Sequence, residues 1–348
     1  NGCKLAIIKG NPTDINEWSK LILKYGINIA WLTSGLFNLF VDLNPDIFKD
    51  FKYIISGGEK LSPKHVILAL NRLNNVQIIN GYGPTETTTF ATSYNINDVF
   101  DDDIPIGKPQ SNTELFVLGE NKKLLPVDTE GELYIGGSGV TEGYLNNKLL
   151  TNEKYITFKF EGNTKRLYKT GDIVKLNSSN ILEFIGRKDN QVKVRGFRIE
   201  LDEIENLTKT SKGINDAICL LNDKRDIVLY YTGSVDEKRI KELLCRELPK
   251  FMVPKYINKI KNMPLTINGK IDKIKLKSMN NLSSKESKFS KDEYEEILLN
   301  IWRDLLGQNN INSEDNFFEV GGDSLLAVRL INKINKVFSK SLKITDLY

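Results

Sequence analysis

The sequence predicts an α/β core with a β subdomain, then a small α+β lobe, then an all-α helical bundle. Three observations carry this reading. Short apolar runs alternate with helix-spaced segments in the first stretch. Closely spaced strand-like runs fill residues from about 104 to 185, and the final segment repeats apolar side chains at three- and four-residue spacing.

The elements follow in order. "INEWSKLILKYG" has helical spacing and ends at Gly26, suited to a C-cap. "INIAWL" and "FKYIIS" are apolar runs of strand type, the second closed by Gly57 and Gly58. Ser62 stands as the cap and Pro63 at the first position of the helix "SPKHVILALNRL", and "VQIIN" reads as a buried strand. A largely parallel sheet is expected here. "TELFVL", "GELYIGG", "RLYKTGDIVKL" and "ILEFIG" then read as strands separated by Gly and Asn turns. The mixed region up to about 278 holds the helices "DEIENLTKT" and "VDEKRIKELLCREL" and the strands "DAICLL" and "DIVLYYTG". "MNNLSSKESKFS" is polar and apolar-poor, a linker. Beyond it, Tyr294, Ile297, Leu298, Ile301, Trp302, Leu305 and Leu306 form one amphipathic stripe, and Ala327, Leu330, Ile331, Ile334, Val337 and Phe338 form another. The expected divisions are a large core over 1–188, a small lobe over 189–278, a linker over 279–290 and a bundle over 291–348.

With 348 residues the chain can bury a sizeable core. Its net charge of +4 hides an asymmetry: residues 250–288 hold ten Lys against Asp272 and Glu286, and residues 290–348 hold ten acids against seven Lys and Arg. The basic stretch lacks the aromatic interleaving of a nucleic-acid surface, so it suits small anionic ligands beside an acidic module. No run reaches the length of a membrane span, and "NGCKLAIIKG" has no signal-peptide pattern. Cys3, Cys219 and Cys245 are scattered and fit neither a disulfide framework nor a zinc site, so a cytoplasmic location is expected.

Several motifs bear on chemistry. "NGYGPTETTTFAT" follows a strand with a Gly-rich turn and clustered threonines, which offer N–H groups and hydroxyls to a phosphate, and Glu86 is a hard oxygen ligand of the kind Mg²⁺ takes. Taken alone, such a turn is more often only a turn. In "YKTGDIVKL", Asp172 after a glycine is either a turn acid or a carboxylate for ribose hydroxyls. "GRKDNQVKVRGFRIELDEIE" is charge-dense yet punctuated by Val192, Val194 and Ile199, which taken blandly is a solvated strand edge. In "MPLTINGKID", Asn268-Gly269 forces a tight turn and Lys270 follows at once; a lysine there is usually a surface charge. "GGSGV" (136–140) reads as turn glycines, and His65 is given no role. In "EVGGDSLLAV", Ser324 opens a helix; by itself it is a cap before it is anything else.

In this order and spacing, "GYGPTETT", "GELYIGGSGVTEGYLN", "YKTGDIVK", "GRKDNQVKVRGFRIELDEIE", "LPKFMVPKYI" and "NGKIDK" resemble the adenylation domains of nonribosomal peptide synthetases, members of the adenylate-forming superfamily. "DNFFEVGGDSLLAVRLI" resembles a peptidyl carrier protein. The resemblance spans nearly the whole chain. It implies activation of an amino acid as its aminoacyl-AMP with ATP and Mg²⁺, then thioester loading onto 4′-phosphopantetheine. Ser324 would be the attachment point, and an arm phosphate near a helix N-terminus is electrostatically welcome. Tyr82 would stack on adenine with Asn80 helping to hold it, Thr85 would contact the α-phosphate, and Glu86 would bind Mg²⁺. Asp172 would hold the ribose hydroxyls with Arg187 assisting. Lys270 would bridge the substrate carboxylate and the phosphate oxygens, where anions converge in the transition state. Asp189 would be the hinge of the small lobe; one orientation inserts Lys270, and the other presents the loop near Gly196 to the pantetheine thiol.

The same resemblance lines the side-chain pocket with Trp31, Ile55, Gly57, Gly81, Thr89 and Phe90. None is charged, and an ionised substrate side chain would be buried unpaired. Trp31 and Phe90 take back much of the room that the glycines leave, which implies a small branched aliphatic substrate, L-valine. The family's phosphate loop, the acid that holds the α-amine and three pocket positions are expected upstream of Asn1, and the last carrier helix beyond Tyr348. The chain alone is therefore expected to lack activity. Implied partners are the amino acid, a phosphopantetheinyl transferase and neighbouring condensation, epimerisation or thioesterase domains, with no nucleic acid or membrane; "GGDS" in place of a His before the serine is a pattern seen where an epimerisation domain follows. Alternative readings are an acyl-CoA ligase, against which the fused carrier argues, and a carboxylic acid reductase or aminoadipate-reductase-like protein, which needs a reductase domain downstream. A third is an interaction module with a dead adenylation part, against which Lys270, Glu86 and Asp172 speak.

Overall fold

A computed structural model describes residues 2–8, 12–97, 103–194, 196–223, 225–266, 271–279, 293–318, 320–338, 342 and 347. Packing divides the chain into two compact units, Asn1–Ile199 and Glu200–Tyr348.

The first unit opens with α1 (Ile15–Tyr25), capped by Asp14 on the Asn16 N–H and ended by Gly26 in the left-handed region at φ 60°. β1 (Ile29–Thr33), α2 (Ser34–Leu43), β2 (Tyr53–Gly57), α3 (Pro63–Arg72) and β3 (Gln77–Tyr82) follow. The strand–helix alternation makes β1, β2 and β3 parallel neighbours in register. β4 (Thr92–Ile96) and β5 (Lys108–Pro109) then add antiparallel strands at the other edge, so the expected parallel sheet is a mixed one of five strands. α2, "SGLFNLFVDL", carries Ser34, Asn38 and Asp42 at four-residue spacing, a narrow polar stripe on an otherwise apolar helix that the sequence reading passed over. It packs on α3 and β1 and buries Phe37, Leu39 and Phe40 fully. α3 begins at Pro63 as expected, but the Ser62 side chain makes no cap hydrogen bond; its hydroxyl pairs with His65 Nδ1 at 2.7 Å.

A second sheet takes over at β6 (Thr113–Leu118) and β7 (Glu130–Gly137). After α4 (Lys148–Lys154) come β8 (Tyr155–Phe160), the long β9 (Asn163–Leu176) and β10 (Leu182–Arg187). The order is β10-β9-β7-β6 with β8 on β9, antiparallel throughout. Its core of Val117, Leu133, Ile135, Val174 and Leu182 also takes in Tyr82 from the end of β3, so the two sheets meet where the site lies. A separate hairpin, β11 (Gln191–Val194) and β12 (Phe197–Glu200), closes the unit. Residues 189–199, expected beyond the 188/189 boundary, group by packing with the first unit.

In the second unit α5 (Leu201–Lys209) and α6 (Glu237–Glu247) accompany a sheet of β13 (Ile214–Leu221), β14 (Ile227–Gly233) and β15 (Tyr256–Lys259). α7 (Lys273–Met279) seals it: Leu276 is fully buried among Ile218, Val228 and Tyr230, and the Tyr230 hydroxyl donates to the Leu276 carbonyl at 2.8 Å. Most of the expected linker, 280–290, lies outside the described residues. α8 (Glu293–Leu306) and α9 (Ser324–Phe338) share a core of their own, with Leu306, Phe317, Ala327 and Leu330 buried and Trp302 edge-on to Phe317.

Candidate functional site

Three strand ends build one wall. Parallel register sets Trp31 beside Ile55, and two residues on Thr33 beside Gly57 beside Gly81. Side chains return to the same face every second residue, so Trp31, Ile55, Gly57 and Gly81 share one face at the carboxyl ends of β1–β3. Open α/β sheets bind ligands there. A Cβ on Gly57 would stand 2.1 Å from the Gly81 carbonyl oxygen, and one on Gly81 would stand 2.6 Å from Phe90 Cε1. Backbone closes the first position to larger residues, and the Phe90 ring closes the second. Trp31 and Phe90 face each other with ring centroids 6.5 Å apart. The turn that delivers Phe90 is strained: Thr88 and Thr89 both have positive φ, 61° and 71°, costly for β-branched residues. Trp31, Ile55, Gly57, Gly81 and Phe90 thus gather in one place, and Thr89 is an exposed part of the turn.

A second cluster lies where the sheets meet. β9–β10 register places Arg187 opposite Asp172. The Asp172 carboxylate, 4% exposed, accepts from the Tyr82 hydroxyl and from Arg187 Nη1, the latter at 2.6 Å. The same guanidinium grips Asp189 with two parallel bonds of 2.7 Å and reaches the Thr170 carbonyl at 3.2 Å. One arginine therefore ties the expected ribose carboxylate to the expected hinge residue. Burial works against the Arg187 charge, but its hydrogen bonds to Asp189 and the Asp172 charge outweigh it and raise its pKa. Burial, with the Asp172 charge, pushes the Tyr82 hydroxyl well up, so it stays a donor. Gly171 has φ 75°, and a Cβ there would meet Arg187 and Asp189 atoms at 2.8 Å. Asn80 sits buried beside this cluster and spends its amide on the Pro105 carbonyl at 2.8 Å.

The third cluster surrounds Glu86, in the short 3-10 turn Thr85–Thr87; Thr85 itself is exposed. Tyr144 donates to Glu86 Oε1 and Arg198 to Oε2, both at 2.6 Å. Burial opposes the Glu86 charge, but the Tyr144 hydrogen bond and the Arg198 charge win and hold the carboxyl below its usual range. The charge-dense stretch around these residues is a solvated edge only in part, with Lys188, Asn190 and Phe197 exposed. Lys193 and Arg198 turn inward: the Lys193 amine lies 5.6 Å from the centre of the Tyr82 ring, and its pKa is depressed by burial. Gly196, at φ 82°, donates its backbone N–H to Glu59. Lys193, Arg198, Glu59, Tyr144 and Tyr168, whose hydroxyl accepts from Arg198 Nη2 at 3.1 Å, are residues of this site that the sequence reading did not single out. Among the described residues no group of three His, Cys, Asp or Glu could hold a metal. A single buried carboxylate fits Mg²⁺, which binds protein through one or two carboxylates and leaves its other positions to phosphates and water, once Arg198 gives up the Glu86 oxygen that it holds.

On the helical bundle, Asp323 accepts from the Leu326 N–H at 2.9 Å and so caps α9. Ser324 is then the first helical residue rather than the cap; its side chain lies outside the described atoms, and Lys270 lies outside the described residues.

The AMP-binding enzyme family matches residues 1–145, and the phosphopantetheine attachment site family matches residues 296–348. The chain thus carries an AMP-binding domain and a phosphopantetheine attachment site, and its homologues are nonribosomal peptide synthetase modules. Bacitracin synthase 3 of Bacillus licheniformis is 38% identical over all of this chain and 6% of its own length. Tyrocidine synthase 3 of Brevibacillus parabrevis is 38% identical over 92% of this chain and 5% of its own. The adenylation–carrier chain thus spans a small part of such synthetases. Among solved structures, holo-PA1221, an NRPS protein containing adenylation and PCP domains bound to a vinylsulfonamide inhibitor, aligns with TM-score 0.80 and 32% identity over 93% of this chain and 55% of that one.

Proposed function

We propose that this chain is part of a synthetase module that activates an amino acid as aminoacyl-AMP with Mg-ATP and loads it as a thioester on the phosphopantetheine arm of Ser324. The observation that carries the proposal is the meeting of Tyr82, Asp172, Arg187 and Asp189 beside the strand ends, on a chain that also holds a carrier. In this reading Tyr82 stacks on adenine and Asn80 holds it, while Asp172 accepts from the ribose hydroxyls with Arg187 fixing its orientation. Thr85 and Lys270 serve the phosphate, and Glu86 binds the metal, whose charge would offset the phosphate oxygens. Asp189 is the hinge and the Gly196 loop faces the thiol, with the core, small lobe, linker and carrier divided at 188/189, 278/279 and 290/291. A phosphopantetheinyl transferase is the implied partner in modification, and three free cysteines together with the lack, among the described residues, of a helix able to cross a membrane are in keeping with a cytoplasmic site of work.

The pocket reading supports L-valine. The six residues assigned to its wall are uncharged, and the tilted Trp31 and Phe90 rings stand with their centroids 6.5 Å apart. An ionised side chain would lose its hydration without gaining a partner there. Pyrophosphate exchange on the parent module with a full panel of amino acids tests this. Valine should give the highest rate, with isoleucine next, because one methylene is worth only about 1–3 kcal/mol. Phenylalanine or a charged amino acid outrunning valine would end the pocket assignment.

A further inference from the structure

The geometry points to Arg198 as a competing occupant of the Glu86 carboxylate, a positioning residue whose guanidinium takes the cation's place so that metal binding and seating of the β11–β12 hairpin exclude one another. This rests on Glu86 being the metal ligand.

Both Glu86 oxygens are taken by protein: Oε1 by the Tyr144 hydroxyl and Oε2 by Arg198, each at 2.6 Å. Tyr144 is neutral and can remain while a cation binds the other oxygen. Arg198 cannot, because a metal on Oε2 would sit against the guanidinium, and like charges repel strongly where burial excludes water. Arg198 is not a casual neighbour. Its Nε donates to Gln191 Oε1 at 2.8 Å and its Nη2 to the Tyr168 hydroxyl at 3.1 Å, and Tyr168 is fully buried. The guanidinium is thus aimed at Glu86 from two further sides.

The element that carries Arg198 is suited to come and go. β11 and β12 pair only with each other among the described strands. Within the first unit the contacts that hold the hairpin include Arg198 on Glu86 and on the Tyr168 hydroxyl, the Lys193 amine over the Tyr82 ring, and the Gly196 N–H on Glu59, and its Val194 and Ile199 are buried. The contacts on Glu86 and on Tyr82 use residues assigned to the nucleotide or its metal. Exchanging one cation for another at Glu86 leaves its buried carboxylate paired at every stage, which avoids the cost of an uncompensated buried charge. Arg198 would leave Glu86 when the metal nucleotide enters and return when pyrophosphate carries the metal away. That order sets the hairpin in place, with the Gly196 loop, only after the first half-reaction is complete.

The test uses the full parent module and two readouts. The first is amide hydrogen exchange of residues 191–199 with α,β-methylene-ATP, with and without Mg²⁺. Magnesium should speed hairpin exchange in the wild type, and Arg198→Gln should exchange fast in both conditions. The second is the Mg²⁺ concentration that half-saturates pyrophosphate exchange. It should fall several-fold in Arg198→Gln, return toward wild type in Arg198→Lys, and rise in Glu86→Gln. If Glu86→Gln raises it while Arg198→Gln changes neither readout, the competition is overturned and the metal assignment stands. If Glu86→Gln leaves it unchanged, the metal assignment fails and takes the competition with it. Should Arg198→Gln not fold, the wild-type exchange data and Arg198→Lys still decide: hairpin protection indifferent to Mg²⁺ overturns the proposal.

Discussion

Gly81→Ala is the sharpest probe of the pocket. An added Cβ would lie 2.6, 2.9 and 3.1 Å from three atoms of the Phe90 ring. Carbon atoms prefer about 3.5–4.0 Å, so the ring must shift by about 1 Å or the strand must yield. The ring is tied to a turn whose Thr88 and Thr89 already hold left-handed backbone, so it has little freedom to retreat. The cost to stability should be that of modest overpacking, about 1–3 kcal/mol. The cost to substrate should be selective, because the space removed is about one methyl group beside the substrate side chain. Valine and 2-aminobutyrate differ by one methyl, so the ratio of their kcat/KM values should fall by about 10–200-fold. The assay is pyrophosphate exchange on the parent module with both substrates, alongside a thermal melt of each variant. Both substrates losing rate equally, with the ratio kept, would mean that Gly81 is only a packing glycine. The pocket assignment would then be wrong.

Other outcomes are equally specific. A phosphopantetheinyl transferase with CoA should add one pantetheine mass to the parent module, and Ser324→Ala should abolish it; mass added to the Ala variant would refute the site. Lys270→Ala should slow adenylation by ~10²–10³-fold, the usual loss for a transition-state donor, and spare thioester formation from preformed aminoacyl-AMP. Equal losses in both half-reactions would contradict the two-orientation scheme. Arg187→Met should cost about 3–5 kcal/mol, since it strands the buried Asp172 charge, and Asp172→Asn in the same chain should recover part of this in urea titration; strict additivity would refute the coupling. Burial raises the Glu205 carboxyl above its ordinary value. Its folded form therefore favours the proton, and its contribution to stability is present below about pH 4.3 and lost as pH rises through the raised value. Glu205→Gln should melt higher than wild type at pH 7, with the gap closing toward pH 4; a gap that widens on acidification would show the sign to be wrong.

Much of the fold was legible because its signals are local. Gly26 ends α1, Pro63 starts α3, and the runs around residues 29, 53 and 77 are strands, each fixed by backbone chemistry within a few residues. α2 was not, since a helix buried on most sides leaves only the narrow stripe of Ser34, Asn38 and Asp42 to mark its period. The antiparallel edge of the first sheet was also hidden, because two-residue β5 carries no pattern at all. At the site, residues already marked by glycine turns or by family motifs were found where strand ends converge.

Lys193 and Arg198 show what a sequence pattern cannot hold. Both sit in a strand-like stretch with alternating apolar residues, and alternation assigns its charged members to water. What turns them inward is the presence, more than a hundred residues earlier, of the Tyr82 face and the Glu86 carboxylate. A cation is drawn to where an anion is buried, and neither end of such a pair states in its own neighbourhood where the other will be. The only local hint is Gly196, whose left-handed backbone permits the tight turn that puts Arg198 on the strand facing Glu86. The same long separation gives the pair its use: a contact between distant segments can be made and broken without unfolding either one, and a local cap or turn cannot.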